Sequence, residues 1–210
     1  MLKRGITSLA VASVMTLAVA VPAVFADTFP AGDGNIFAGA GQTEDGSAQV
    51  IAQIGTIDGE AVHSLSAFTF IVEDVTCSDG SDGIILTSLN ATTDAATVKV
   101  DKKLNSATAS GTVSGTEETF HSCTDDDVFV DVTRSVSLTL HATGGSRTTS
   151  THTVTKNPDG STETFNETVT DKFAGGTFAM GSAHFTASEL VSVVEHDVFS
   201  TTTKGAKHKH

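Results

Sequence analysis

Apolar and polar residues alternate along most of the chain from Ala48 onward, and Val, Ile, Thr and Phe are frequent there. No long apolar stripe at helical spacing interrupts this period of two, which is typical of strands with one face in a core and one in water. The clearest stretch is the fifteen residues 128–142, broken on its apolar face by Arg134. Strands rarely exceed about ten residues, so we expect a bend or bulge near Arg134.

Turn signals divide the alternating region into hairpins. Strands are predicted at 65–75 and 83–89, and segments 95–101 and 107–113 are predicted to pair around a turn at 102–105. The strongest signal is Lys156-Asn157-Pro158-Asp159-Gly160, which offers Pro for the second turn position and Gly for a positive φ. Successive hairpins predict an all-β fold, a single antiparallel meander closed as a barrel-like domain. A two-sheet β-sandwich is the alternative, because it has the same alternation.

Threonines recur at every second position in the hairpin around this turn. One row is Thr149, Thr151, Thr153 and Thr155, and the second is Thr162, Thr164, Thr168 and Thr170. If the rows share a face, they form a flat threonine ladder. Over this hairpin alone the pattern resembles the rows of ice-binding β-proteins. Ordinary exposed strands also favour threonine, and we prefer that interpretation.

The first residues have the composition of an export signal. Lys3 and Arg4 precede an uncharged stretch that ends at Ala26, followed by Asp27. We interpret residues 1–26 as a signal peptide cleaved after Ala26, and an uncleaved membrane anchor is the alternative. Residues 27–47 are then an irregular lead-in broken by Pro and Gly, 48–200 the antiparallel β domain, and 201–210 a polar tail. The predicted location is secreted, either extracellular or periplasmic.

The charge of the exported part argues against several partners. The chain carries a net charge of −13, and removal of Lys3 and Arg4 gives −13 − 2 = −15. An acidic protein of this kind repels nucleic acids and anionic headgroups, so no nucleic-acid partner is expected. The chain also lacks Trp and Tyr, the residues that form the interfacial girdles of membrane barrels. We therefore expect no transmembrane segment in the mature chain.

The chain has two cysteines, Cys77 and Cys123, both in the predicted exported part. An oxidising compartment favours a disulfide between them. Free metal-binding or catalytic thiols are the alternative, but that chemistry needs ligands at close spacing, such as a C-x-x-C motif, which the sequence lacks.

Acidic residues cluster beside both cysteines and suggest a cation site. Asp79 and Asp82 follow Cys77, and Asp125, Asp126 and Asp127 follow Cys123, so a disulfide would bring the two groups together. Carboxylates in flexible loops are ligands that Ca²⁺ accepts. The complete calcium-loop pattern is absent, and solvated acidic turns are the competing interpretation.

The sequence contains no motif that identifies a catalytic centre, and we assign no catalytic residue. His63, His121, His141, His152, His184 and His196 stand apart from one another, and His208 and His210 lie in the tail. We expect a non-catalytic binding or cell-surface recognition domain whose ligand or partner the sequence does not identify. A self-associating structural protein is the alternative, and a hydrolase or metal-dependent enzyme assembled from distant Asp and His residues is the third hypothesis.

Overall fold

The computed structural model describes residues 33–205, and the predicted signal peptide lies outside them. The described chain forms ten strands: β1 (Gly34–Gln42), β2 (Ala48–Ile57), β3 (Glu60–Thr76), β4 (Asp82–Thr93), β5 (Thr97–Val100), β6 (Ser106–His121), β7 (Asp126–Lys156), β8 (Thr162–Met180), β9 (Ala183–Ala187) and β10 (Val193–Lys204). Within this part of the chain no helix has the length and hydrophobicity to cross a lipid bilayer.

The strands form one antiparallel sheet that closes into a ring. Neighbours follow chain order from β1 to β4 and from β6 to β8, and β10 pairs with both β8 and β1. β4 and β5 pair with successive parts of β6, and β9 and β10 pair with successive parts of β8. The predicted all-β, barrel-like meander is confirmed, with one sheet rather than the two of a sandwich.

Local turn chemistry accounts for this hairpin order. Three turns share the sequence Asp-Gly-Ser, with glycine at φ between +73° and +82°: Thr43–Ser47, Cys77–Ser81 and Asn157–Ser161. In each, the serine N–H donates to the aspartate Oδ1, at 3.0, 3.0 and 2.8 Å. Between β2 and β3, Asp58 and Gly59 both have positive φ, as a two-residue hairpin turn requires. The predicted turn at 156–160 is confirmed.

The inward positions of the ring make a continuous apolar core. Its large members include Leu65, Val113, Leu138, Leu140 and Phe178, all almost fully buried. Because opposite residues of paired antiparallel strands share a face, the alternation seen in the sequence fills the ring from every strand.

Two expectations about strand boundaries need correction. Residues 34–42 of the predicted irregular lead-in form β1, because its glycines permit close packing rather than break the strand. A side chain on Gly39 would lie 2.6 Å from Ala107 Cβ, and one on Gly41 would lie 2.7 Å from Leu138 Cδ1. At the other end, residues 201–204 of the predicted tail are the end of β10, and 206–210 lie outside the described residues.

The irregularity predicted near Arg134 lies elsewhere in β7. Pairing with β6 is regular through Arg134, whose Nη2 lies 3.4 Å from Glu117 Oε2. The register of β7 against β8 instead shifts between Ala142 and Ser146, beside Gly144 and Gly145. Two glycines lower the cost of a bulge, whereas an arginine can remain in a regular strand if its charge finds a partner.

Candidate binding surface

The hairpins β3–β4 and β6–β7 extend past the strands that flank them. Pairing of β3 with β2 stops at Thr69, and pairing of β7 with β8 begins only at Val136. Beyond these points residues 70–88 and 117–135 pair with one another alone as strands, and we call this four-stranded extension the wall. The wall therefore has no flanking strand at either outer edge among the described residues.

The disulfide Cys77–Cys123 joins the two turns at the tip of the wall, with 5.4 Å between the Cα atoms. The predicted bond is confirmed. Its sulfurs lie over Gly83, where an added Cβ would be 2.5 Å from Cys123 Sγ. Ile84 N–H also donates to Ser122 Oγ at 2.7 Å. The bridge and this hydrogen bond fix the relative position of the two hairpins where sheet pairing ends.

The wall exposes large hydrophobic side chains on both faces. The strongly exposed ones are Ile71, Val72, Val128, Phe129 and Val130, with Phe129 at 64% and Val72 at 51%. A solvated strand normally alternates apolar with polar residues, so hydrophobic side chains on both faces of one extension are unusual. Exposed apolar side chains grouped on one part of a molecule are typical of interaction sites.

Strand register places Ile71, Val128 and Val130 on the face that continues the core, and it places Val72 and all three phenylalanines of the wall on the face turned away from the core. Val72 is opposite Leu86 and Leu86 is opposite Phe120, so an apolar row crosses three strands. Further apolar residues on this face border the row. We define the outer patch as Phe70, Val72, Ile84, Leu86, Phe120 and Phe129.

Neither the alternation of apolar and polar residues nor any motif identifies the outer patch, although three apolar runs in the sequence are a signal of it. Phe-Thr-Phe-Ile-Val at 68–72, Ile-Ile-Leu at 84–86 and Val-Phe-Val at 128–130 are nearly continuous apolar runs rather than alternating ones. The first run predicts a central strand buried on both faces. In the structure these runs meet in the wall, where neither face is covered by a described strand.

The five aspartates of the predicted calcium site are divided between turns and opposite faces. Asp79 Oδ1 accepts from Ser81 Oγ at 2.6 Å, and Ser81 thereby holds the pKa of Asp79 below its usual range. Asp126 is opposite His121, whereas Asp127 is opposite Phe120 on the other face. Asp82 pairs with Thr76, and Asp125 occupies a positive-φ turn position.

Within residues 33–205 no group of three or more His, Cys, Asp or Glu side chains is arranged to hold a metal ion. The calcium site stays a prediction from the sequence, and the described geometry adds no support to it.

A second group of carboxylates lies where β8 and β10 pair. Glu195 is opposite Asp171, which accepts from Arg147 through Nε at 3.1 Å and Nη2 at 2.6 Å. Burial, together with the charges of Asp197, Asp171 and Glu167, raises the pKa of Glu195 to about 7, against a lowering by Arg147. Burial likewise raises the pKa of Asp197 to about 6. These groups are a source of pH-dependent stability.

The described histidines are distributed over five strands: β3, β6, β7, β9 and β10. His196 stacks on Phe37, with 4.0 Å between ring centroids, and its Nε2 lies 2.8 Å from Asn35 Oδ1. His152 Nδ1 lies 2.7 Å from Asn166 Oδ1. Both imidazoles therefore take part in cross-strand pairs that stabilise the sheet.

The two threonine rows lie on opposite faces of the β7–β8 hairpin, which corrects the expected ladder. The register sets Thr151 opposite Glu167 and Ser150 opposite Thr168. A different hydroxyl ladder forms on the even-numbered face: Thr148 and Thr170 are 3.1 Å apart, and Ser150 and Thr168 are 3.3 Å apart.

Comparison with protein-family models, with curated proteins and with solved structures found no match to this chain. The fold and the wall define its class as an antiparallel, barrel-like β domain with a disulfide-linked, partly apolar extension.

Proposed function

We propose that this chain is an exported, non-catalytic binding module that recognises a partner through the outer patch. The observation that carries the proposal is the position of exposed phenylalanine and valine side chains on an extension fixed by a disulfide. A fixed sheet face binds without a large loss of conformational entropy, because its backbone is already ordered.

The interior of the ring supports the same choice. Leucine, valine, alanine and phenylalanine side chains from the strands pack there against one another, so the core contributes stability rather than space for a ligand. Recognition at the outside of the domain therefore fits this architecture better than recognition within the ring. Binding energy at such surfaces is concentrated in a few well-packed residues.

A selection experiment tests this proposal even though the partner is unidentified. The full chain is used to select binders from a random peptide library displayed on phage. Each enriched clone is then measured against two variants, Val72→Ser with Phe129→Ser and Val154→Ser. Val154 is a matched control, because it is as exposed as Val72, at 51%, and lies in β7 far beyond the wall.

We expect the enriched clones to bind the chain and the Val154→Ser variant equally. Their affinity for the double variant should fall at least about tenfold, because that variant loses one exposed apolar contact on each outer strand of the wall. Clones that bind all three proteins alike, or a selection that yields no binder, would contradict recognition by the outer patch. Surface substitutions of this kind change stability by only about 0.5 kcal/mol, so unfolding is not the expected cause of lost binding.

Self-association is a second candidate, favoured by a different observation. Residues 146–156 of β7 pair with β8 on one side, and pairing with β6 ends at His141. All eleven residues are exposed, so one edge of this segment is without a described neighbour. An unpaired edge is a template on which a strand of a second copy can add.

A further inference from the structure

We infer that the occupant of the outer patch is an amphipathic helix whose apolar side is bordered by Lys or Arg. The inference rests on the proposed function and adds the chemistry of the partner. It depends on the charges that surround the patch and on the hydrogen bonding of the strands beneath it.

The wall is strongly and uniformly acidic. Residues 70–88 and 117–135 contain ten Asp or Glu and a single Lys or Arg, Arg134. Arg134 lies opposite Val113, on the face that continues the core, and it pairs there with Glu117. On the outer face the register leaves five carboxylates without a cation from the wall: Asp74, Asp82, Glu118, Asp127 and Asp131.

These carboxylates lie among the apolar residues rather than at a distance from them. Asp127 is opposite Phe120, Glu118 is opposite Phe129, and Asp74 is opposite Ile84. A partner that covers the patch must therefore bring positive charge to its border. A second copy would place five carboxylates against five more, and an anionic membrane would add phosphate, so both are disfavoured by repulsion.

A strand could add at the outer edges of β3 and β7 in the wall, which no described strand pairs, but it would lie beside the patch and leave the patch uncovered. On the face itself the backbone argues for a helix. β4 pairs with β3 on one side and with β6 on the other, so its N–H and C=O groups are already engaged. An occupant of this face must satisfy its own backbone hydrogen bonds, which a helix does internally. Four strands about 4.8 Å apart span about 14 Å, which is close to the ~10–12 Å diameter of a helix with its side chains.

The experiment uses three designed peptides of about 18 residues, or roughly five helical turns. All have the same leucine face and one tryptophan, and their polar faces consist of lysine, glutamine or glutamate. Because the chain contains no Trp or Tyr, the tryptophan signal belongs to the peptide alone. Binding to the full chain is followed by the blue shift of that fluorescence at low and high salt.

We expect the lysine peptide to bind at least about tenfold more tightly than the glutamine peptide, and the glutamate peptide to bind most weakly. These differences in affinity should become smaller at high salt, because salt screens the charges. Val72→Ser with Phe129→Ser should weaken the lysine and glutamine peptides, and Val154→Ser should weaken neither. Glu118→Gln with Asp127→Asn should lower the lysine preference and leave the glutamine peptide unchanged.

Each other outcome contradicts a defined part of the argument. Equal binding of the lysine and glutamine peptides, still dependent on Val72 and Phe129, overturns the charge requirement and leaves patch recognition intact. If the lysine peptide binds the Val72→Ser, Phe129→Ser variant as tightly as the native chain, it is adsorbing non-specifically to an acidic protein, and the inference is overturned. Binding of phosphatidylglycerol vesicles, or a dimer lost in the double variant, assigns the patch to a membrane or a second copy instead.

Failure of the peptides can also be separated from failure of the proposed function. If none of the three peptides binds but the phage selection yields clones that depend on Val72 and Phe129, the patch recognises a partner of another chemistry. If neither approach yields such binding, both the inference and the proposed function are wrong.

Discussion

Replacement of Cys77 and Cys123 by alanine removes the covalent link at the tip of the wall. The bridge closes a segment with a sequence separation of 46 residues. In the chain-entropy model a link of that length lowers the entropy of the unfolded chain by roughly 13 to 14 cal/mol/K, or about 4 kcal/mol at 25 °C. We therefore expect the free energy of unfolding of the double variant to fall by about 4 kcal/mol.

The wall makes this prediction informative about mechanism. β4 and β6 pair from Ile85 to Thr92, and this backbone pairing does not involve the bridge, so we expect the folded hairpins to stay adjacent without it. The stabilisation then comes chiefly from the unfolded state, where the two turns would otherwise separate. Loss of sulfur contacts over Gly83 adds a smaller local cost.

The assay is denaturant unfolding followed by far-UV circular dichroism, because the chain has no Trp or Tyr to report by fluorescence. Reduction of the native chain should reproduce the loss, whereas reductant should leave the double variant unchanged, since the sequence has two cysteines in all. A loss below about 1 kcal/mol with an unchanged denaturant slope would refute the entropic argument.

Two further measurements test regions outside the wall, namely the carboxylates between β8 and β10 and the edge of β7 that has no described neighbour. Burial raises the pKa of Glu195 from 4.5 to about 7, so the folded chain binds more protons than the unfolded chain between these pH values, and its stability falls as pH rises through that window. Glu195→Gln should flatten this dependence in pH-dependent melts of the full chain, by at most about 3.5 kcal/mol, since one pKa unit corresponds to about 1.4 kcal/mol. An unchanged profile would show that Glu195 is not its source. If β7 pairs edge to edge, sedimentation should show a concentration-dependent dimer that Thr149→Lys with Thr151→Lys abolishes, and a chain that stays monomeric at high concentration excludes that pairing.

Several features are predictable from short stretches of sequence. The turn at 156–160 and the hairpin predicted from 95–101 and 107–113, in which 97–100 pair with 107–110, follow from residues that favour turns between alternating segments. The disulfide follows from two cysteines in a predicted exported chain. These features depend on neighbours in sequence or on the number of cysteines, and none of them requires the arrangement of the whole sheet.

Other features cannot be predicted in this way because they depend on distant strands. Gly39 and Gly41 look like strand breakers, yet they lie in β1 because Ala107 and Leu138 approach too closely for a side chain. The spacing of the threonine rows suggests a shared face, but the register of β7 against β8 separates them. The bulge at Gly144 and Gly145 is seen only when β7 is paired with β8, because it is the point where the register between these two strands shifts.

The sequence by itself determined the all-β class and the hairpin turns at 102–105 and 156–160, since period-two alternation and turn residues act locally. It also determined the pairing of Cys77 with Cys123, since the chain has two cysteines. The tertiary structure decided that the sheet closes through β10 and that two hairpins extend past their neighbours. Apolar runs look the same in sequence whether they are covered or not. Whether they become core or surface depends on which strands end beside them, and only the closed sheet decides that.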